Sequence, residues 1–190
     1  MSELDTLGVV YTLVKVRASA LGVSEHLVSK HLQKATNVYS RVIREDSGDG
    51  YVKAEILPST VEKRNGKQVK PYRVYVSEHY MMCTCPTAIT TAARAGRLLE
   101  EVYWRREKWS HDTATLATLA HTLAARHTLC KHTLALLARG LAAGRIKLTA
   151  RLVDNITLSI ATLAIAEGEV TPRLTSELAK LLQKAQAPAL

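Results

Sequence analysis

The 190-residue sequence contains no apolar run near the ~20 residues that a membrane-spanning helix needs. Its start, Met1-Ser2-Glu3-Leu4-Asp5, lacks the basic-then-apolar order of a signal peptide. Both absences point to a soluble protein of the cytoplasm, nucleoid or nucleus that is not secreted and has no membrane partner. Also missing are the glycine loops that cradle nucleotide phosphates, the paired histidines of metalloproteases and the serine of a nucleophile elbow. Catalysis and a small-molecule substrate are therefore not expected. Acidic residues are in short supply, 17 against 26 Lys plus Arg, which leaves a formal charge of +9. Such an excess favours an acidic partner, above all nucleic acid.

Cysteine is scarce as well. The three residues Cys83, Cys85 and Cys130 are too few, and odd in number, for a disulfide framework within the chain. Their arrangement says more. Cys83 and Cys85 are separated by one residue, and Cys130 stands two before His132. Three potential thiolates and an imidazole are the composition of a closed structural zinc site. In an extended segment the side chains of i and i+2 point the same way, so Cys83 and Cys85 can converge at a strand end. Inside a helix i and i+2 splay apart. Cys130 and His132 are thus expected where a helix opens, and Thr133 to Arg139 reads as that helix. His127 is the main rival for the fourth ligand and His79 a weaker one.

The segment Tyr72-Arg73-Val74-Tyr75-Val76, then Cys83-Thr84-Cys85-Pro86, and later Leu129-Cys130-Lys131-His132-Thr133-Leu134-Ala135 resembles the SWIM zinc finger. That family's pattern is CxC, a variable spacer and CxH, with a β-hairpin before the first pair and a helix after the second. Ala135, three residues after the histidine, is similar to the variant in the SWIM subunits of Shu-type recombination complexes. The resemblance runs from about residue 25 to about 145, and its spacer, Pro86 to Leu129, is long for the family. It implies one zinc ion per chain on Cys83, Cys85, Cys130 and His132. It further implies work in DNA recombination or repair beside a RecA-like recombinase paralogue.

Around the ligands, hydrophobic periodicity predicts an α+β fold, mostly helical, with a small antiparallel sheet. A first helix covers about 5–20, with Leu7, Val10, Tyr11 and Val14 inward and Gly22 beyond its end. Ser24 is suited to cap a second helix reaching about Arg44, whose apolar stripe is Val28, Leu32, Ala35, Tyr39 and Val42. The opposite face of that helix gathers Lys30, Lys34, Asn37, Arg41 and Arg44 without an acid, a candidate nucleic-acid surface. Asp46 to Gly50 is turn chemistry that falls short of a calcium loop. Strands follow at Tyr51 to Leu57 and Tyr72 to Val76, and Lys63, Arg64, Lys67 and Lys70 form a second basic patch near the Asn65-Gly66 turn between them. In the spacer, Thr90 to Trp109 and a segment from Asp112 through Leu116, Leu119, Leu123 and Ala124 read as helices. Trp104 and Trp109 there are candidate anchors for a protein partner.

Past Gly144 the positive excess ends. Leu152, Ile156, Ile160 and Leu163 line one helix, Gly168 interrupts, and Thr171-Pro172 opens a last helix with Leu174, Leu178 and Leu181. The expected organisation is an N-terminal helix over 1–23, a zinc-binding unit over 24–145 with a helical insertion at 87–129, and a C-terminal helical hairpin over 146–190. The expected function is a zinc-stabilised module binding nucleic acid or protein, with DNA favoured and RNA possible. Two other readings are a basic zinc component of an RNA machine such as the ribosome, and a pure protein-interaction adaptor.

Overall fold

Alternation of apolar and polar residues shapes the sheet. The computed structural model describes residues 3–59, 70–101 and 113–186. Strands β1 (Val42–Gly48), β2 (Tyr51–Ile56), β3 (Tyr72–Ser77) and β4 (Met81–Cys83) form one antiparallel sheet in chain order. Val52, Ala54 and Ile56 of β2 and Val74 and Val76 of β3 are buried, as a period of two requires. The register aligns Ala54 with Val74 and Val74 with Cys83, so the first cysteine continues a row of core-facing side chains. β1 and β2 meet in the two-residue turn Asp49-Gly50, and Gly50 has the positive φ of 81° that such turns need.

Seven helices accompany the sheet among the described residues: α1 (Glu3–Ala20), α2 (Glu25–Leu32), α3 (Pro86–Leu99), α4 (Thr113–Arg126), α5 (Lys131–Ala142), α6 (Ala150–Ala166) and α7 (Pro172–Gln186). The class expected from the sequence, α+β and mostly helical, is the class observed. Helix α5 lies against β2 and β3 with Leu134, Leu136 and Leu137 fully buried. Gly140 makes that approach possible, because a Cβ there would sit 3.0 Å from Val52 Cγ2 and 2.8 Å from Ile146 Cδ1. Helix α6 is buried around most of its circumference between α1 and α3, and Leu152, Ile156, Ile160 and Leu163 all lie in the core. Thr149 and Thr171 cap α6 and α7 through their hydroxyls, which accept the N–H groups of Leu152 and Leu174 at 3.1 and 3.0 Å.

The chain departs from expectation between Ser24 and Arg44. The single helix predicted there breaks after Leu32, continues as a 3-10 turn over Thr36–Arg41, and becomes β1. Ala35 and Val38, three apart, are buried in place of the predicted Ala35 and Tyr39, four apart, as the tighter turn dictates. Thr36 and Asn37 are poor helix formers, while Val42 and Ile43 are β-branched. Pairing of β1 with β2 therefore wins over local helical periodicity. In the spacer, α3 begins at Pro86, earlier than the predicted Thr90. On α4 Ala120 and Ala124 are buried, whereas Leu119 is 41% exposed.

Candidate metal centre

Three element boundaries deliver the four ligand-type side chains. Cys83 ends β4, Cys85 is the N-cap of α3, Cys130 is the N-cap of α5, and His132 lies in the first turn of α5. All four are buried, and their ligand atoms lie within 4.8 Å of one another. His132 Nδ1 stands 3.7 Å from Cys83 Sγ and 3.9 Å from Cys130 Sγ. Bonds of ~2.3 Å to sulfur and ~2.0 Å to nitrogen place tetrahedral ligands ~3.5–3.8 Å apart. The cluster therefore fits one four-coordinate metal ion, with Nδ1 as the histidine donor.

Much of this geometry is held by bonds that do not involve the ligands' own metal-facing atoms. Thr128, two residues before Cys130, gives both its N–H and its hydroxyl to the carbonyl of Met81, two residues before Cys83, at 2.8 and 2.9 Å. The two half-sites are thus laced together one step ahead of the ligands. His127 does not join the cluster: its Nδ1 meets Asn155 Oδ1 at 2.8 Å, and Asn155 Nδ2 donates to the Ser77 carbonyl at 3.1 Å. His79 also lies elsewhere, beside Glu78 and Arg151. Of the three candidate histidines, His132 is the one the structure brings to the sulfurs. Thr133 completes the support, since its hydroxyl oxygen accepts the Cys130 N–H at 3.0 Å.

The electrostatics show what the cluster needs. Cys85 is held far below the usual thiol range, chiefly by hydrogen bonds from the Cys130 and Cys83 thiols, with the Ala88 N–H adding to them at 3.4 Å. Cys83 is pushed far up, first by its bonds to Cys130 and Cys85 and then by burial. Burial is the first cause that pushes Cys130 up to about 12. Three sulfurs buried this close together can all be thiolates only beside a compensating cation. A divalent ion with three thiolates would leave the site at −1.

The predicted basic surface divides. Lys30 on α2 and Lys34 just beyond it flank the cluster, joined by Lys131, a residue between two ligands that sequence reasoning passed over. Burial, then Arg41 and Lys34, lower the Lys131 amine below its ordinary range, so Arg41 belongs to the same electrostatic group. Arg44 does not share this surface. It is on β1, lining a separate groove over the sheet with Asp46, Lys53 and Glu55, because the helix predicted to carry it ends before it. Lys70 is exposed at the entry to β3, while Lys63, Arg64, Lys67, Trp104 and Trp109 lie outside the described residues. Thr128 and Asn155 carry no local sequence signal, and Thr133 is marked only as the first residue of the predicted helix, though it is the third of α5.

Buried thiols and an imidazole converging from a hairpin and two helix starts define a protein with one candidate Cys3His metal centre. No family model, curated protein or solved structure matches the chain. Among the described residues, no helix is long and apolar enough to cross a membrane.

Proposed function

We propose that the protein is a zinc-stabilised nucleic-acid-binding module of the SWIM type, acting in DNA recombination or repair as a binding partner and not as an enzyme. The Cys83-Cys85-Cys130-His132 cluster carries this reading, because three thiolates with one imidazole are the donor set of structural zinc. Four protein ligands leave no coordination position for a substrate, which favours a stabilising role over catalysis. The hairpin before Cys83 and the helix opening at Cys130 match the arrangement that the SWIM resemblance implies. Lys30, Lys34, Arg41 and Lys131 beside the cluster supply a basic surface for phosphates.

Elemental analysis of the purified chain should give about one zinc per molecule. Fluorescence anisotropy with labelled DNA and RNA should then show binding that weakens with salt, at a log–log slope of about −0.7 to −0.9 per phosphate neutralised. Tighter binding to RNA than to DNA of the same sequence would favour a component of an RNA machine. Absence of binding to either at low salt would leave a protein-interaction adaptor, with a recombinase paralogue as the partner to seek by affinity purification.

A further inference from the structure

Between α2 and the N-terminal ends of α3 and α5 is a cavity of about 260 Å3. Lys30, Lys34 and Lys131 line it, together with His31, His132 and Tyr72, and no Asp or Glu is among its described lining residues. What sets these lysines apart is that all three line one hollow, for Lys70 and Lys147 also lack a described carboxylate partner. Lys15, Lys53 and Lys180 each pair with a carboxylate, whereas none of the three cavity lysines pairs with a described one. Two buried nitrogens in the cavity wall, Nε2 of His31 and Nε2 of His132, have no hydrogen-bond partner among the described residues. Buried polar atoms are usually paired, so a wall with two orphans beside three unpaired cations is incomplete as it stands.

Charge and shape narrow the occupant. Three ammonium groups against a metal cluster at −1 leave +2, which complements a phosphate monoester at its usual charge of about −1.5 to −2 near neutral pH. The first turns of α3 and α5 add the positive ends of two helices. A hollow walled on several sides suits a compact anion better than a broad surface would.

We propose that this cavity is a phosphate pocket in which Lys30, Lys34 and Lys131 hold the phosphate group of a nucleic acid or of a free nucleotide beside the metal centre. The pocket depends on the nucleic-acid reading above only for the source of the phosphate.

The test uses the metal-loaded full chain, with inorganic phosphate, a mononucleotide and short single-stranded oligonucleotides ending in a 5′-phosphate or a 5′-hydroxyl as probes. Lys30→Glu and Lys34→Glu remove pocket charges at side chains open to solvent. Lys147→Glu makes the same charge change at an exposed site away from the pocket. Metal content, measured for every variant, should not change. Lys34→Glu should weaken phosphate-probe binding by about tenfold or more, as expected for loss of a charge-assisted hydrogen bond. Lys147→Glu should weaken it by about twofold at most, and phosphate should displace the oligonucleotide. Preference for the 5′-phosphate end would place a chain terminus in the pocket; equal binding of both oligonucleotides would place a backbone phosphate there. Lysine-dependent binding of phosphate and mononucleotide without any oligonucleotide binding would uphold the pocket and defeat the nucleic-acid function. Oligonucleotide binding that phosphate does not displace, and that Lys34→Glu and Lys147→Glu weaken alike, would overturn the pocket and spare that function. No binding by any probe at low salt would overturn both.

Discussion

Stripping the metal should leave a folded but weakened protein, with a thermal midpoint lower by roughly 10–15 °C. Two magnitudes compete here. Structural zinc in isolated finger peptides supplies an apparent ~10–16 kcal/mol, which equals or exceeds the ~5–15 kcal/mol that stabilises a whole domain. On that scale the metal-free chain would unfold. The structure favours a smaller loss. A cross-link from Cys85 to Cys130 closes a loop of about 45 residues, and the chain-entropy relation for such a loop gives about 4 kcal/mol. For a chain of this size each kcal/mol moves the midpoint by roughly 2–4 °C.

The lower figure applies because the same loop is closed without metal. Thr128 remains bonded to Met81, His127 to Asn155 and Asn155 to Ser77, while α6 stays packed between α1 and α3. Circular dichroism melts before and after chelation, with elemental analysis confirming metal loss, measure the shift. Cys85→Ser should melt near the chelated wild type and be indifferent to chelator. A shift under about 2 °C would show that the ion contributes little to the fold. Loss of the far-ultraviolet helical signal at room temperature would show that these tethers cannot hold the loop without it.

Asn155→Ala removes both of its buried hydrogen bonds and strands His127 Nδ1 and the Ser77 carbonyl. Denaturant unfolding should show a loss of about 2–4 kcal/mol and chelator should strip the metal faster; wild-type values on both counts would refute the role of this clamp. His31 gives a pH dependence: burial first, then Lys30, hold its imidazole at about 4 in the folded protein, against an ordinary value near 6.5. Between those values the unfolded chain binds more protons. The contribution of neutral His31 is therefore complete above about pH 6.5 and lost as pH falls toward 4, by up to ~3 kcal/mol. His31→Gln should flatten stability against pH in that window when metal content is matched, and superimposable profiles would refute the assignment.

How much of this could be read in advance depended on whether each feature is local. Cys83, Cys85, Cys130 and His132 were legible because convergence of i and i+2 constrains the backbone within a few residues. Caps and stripes in α1, α6 and α7 are local in the same sense, and Thr171 and Leu174 stand where the sequence placed them. The segment 33–48 was not legible. Its apolar spacing suits a helix, and what overrides it is a long-range partner, β2, that periodicity does not register. Pro86, which cannot continue a strand ladder, occupies the first position of α3, where a missing N–H costs nothing. The Thr128–Met81 lacing and the Asn155 clamp join residues 47 and 28 positions apart, which no short pattern announces.

The same boundaries that make the motif readable also explain how the cluster carries its charge. Cys85 and Cys130 occupy N-cap positions where Ser or Asp more commonly stands, and the positive ends of α3 and α5 converge on their sulfurs. Cys85 accepts the Ala88 N–H as an ordinary capping oxygen would, which adds to the hydrogen bonds from the Cys130 and Cys83 thiols that hold it below the usual thiol range. Cys83 ends a strand and accepts the Cys85 N–H at 3.3 Å, while its bonds to the Cys130 and Cys85 thiols, and then burial, push its own thiol up. Burial and the mutual contacts of the three sulfurs oppose a threefold negative charge, and a cation at their centre must offset that cost. That cysteine sits in the core-facing row with Ala54 and Val74. Cys83 is therefore the ligand that ties the metal centre directly to the sheet.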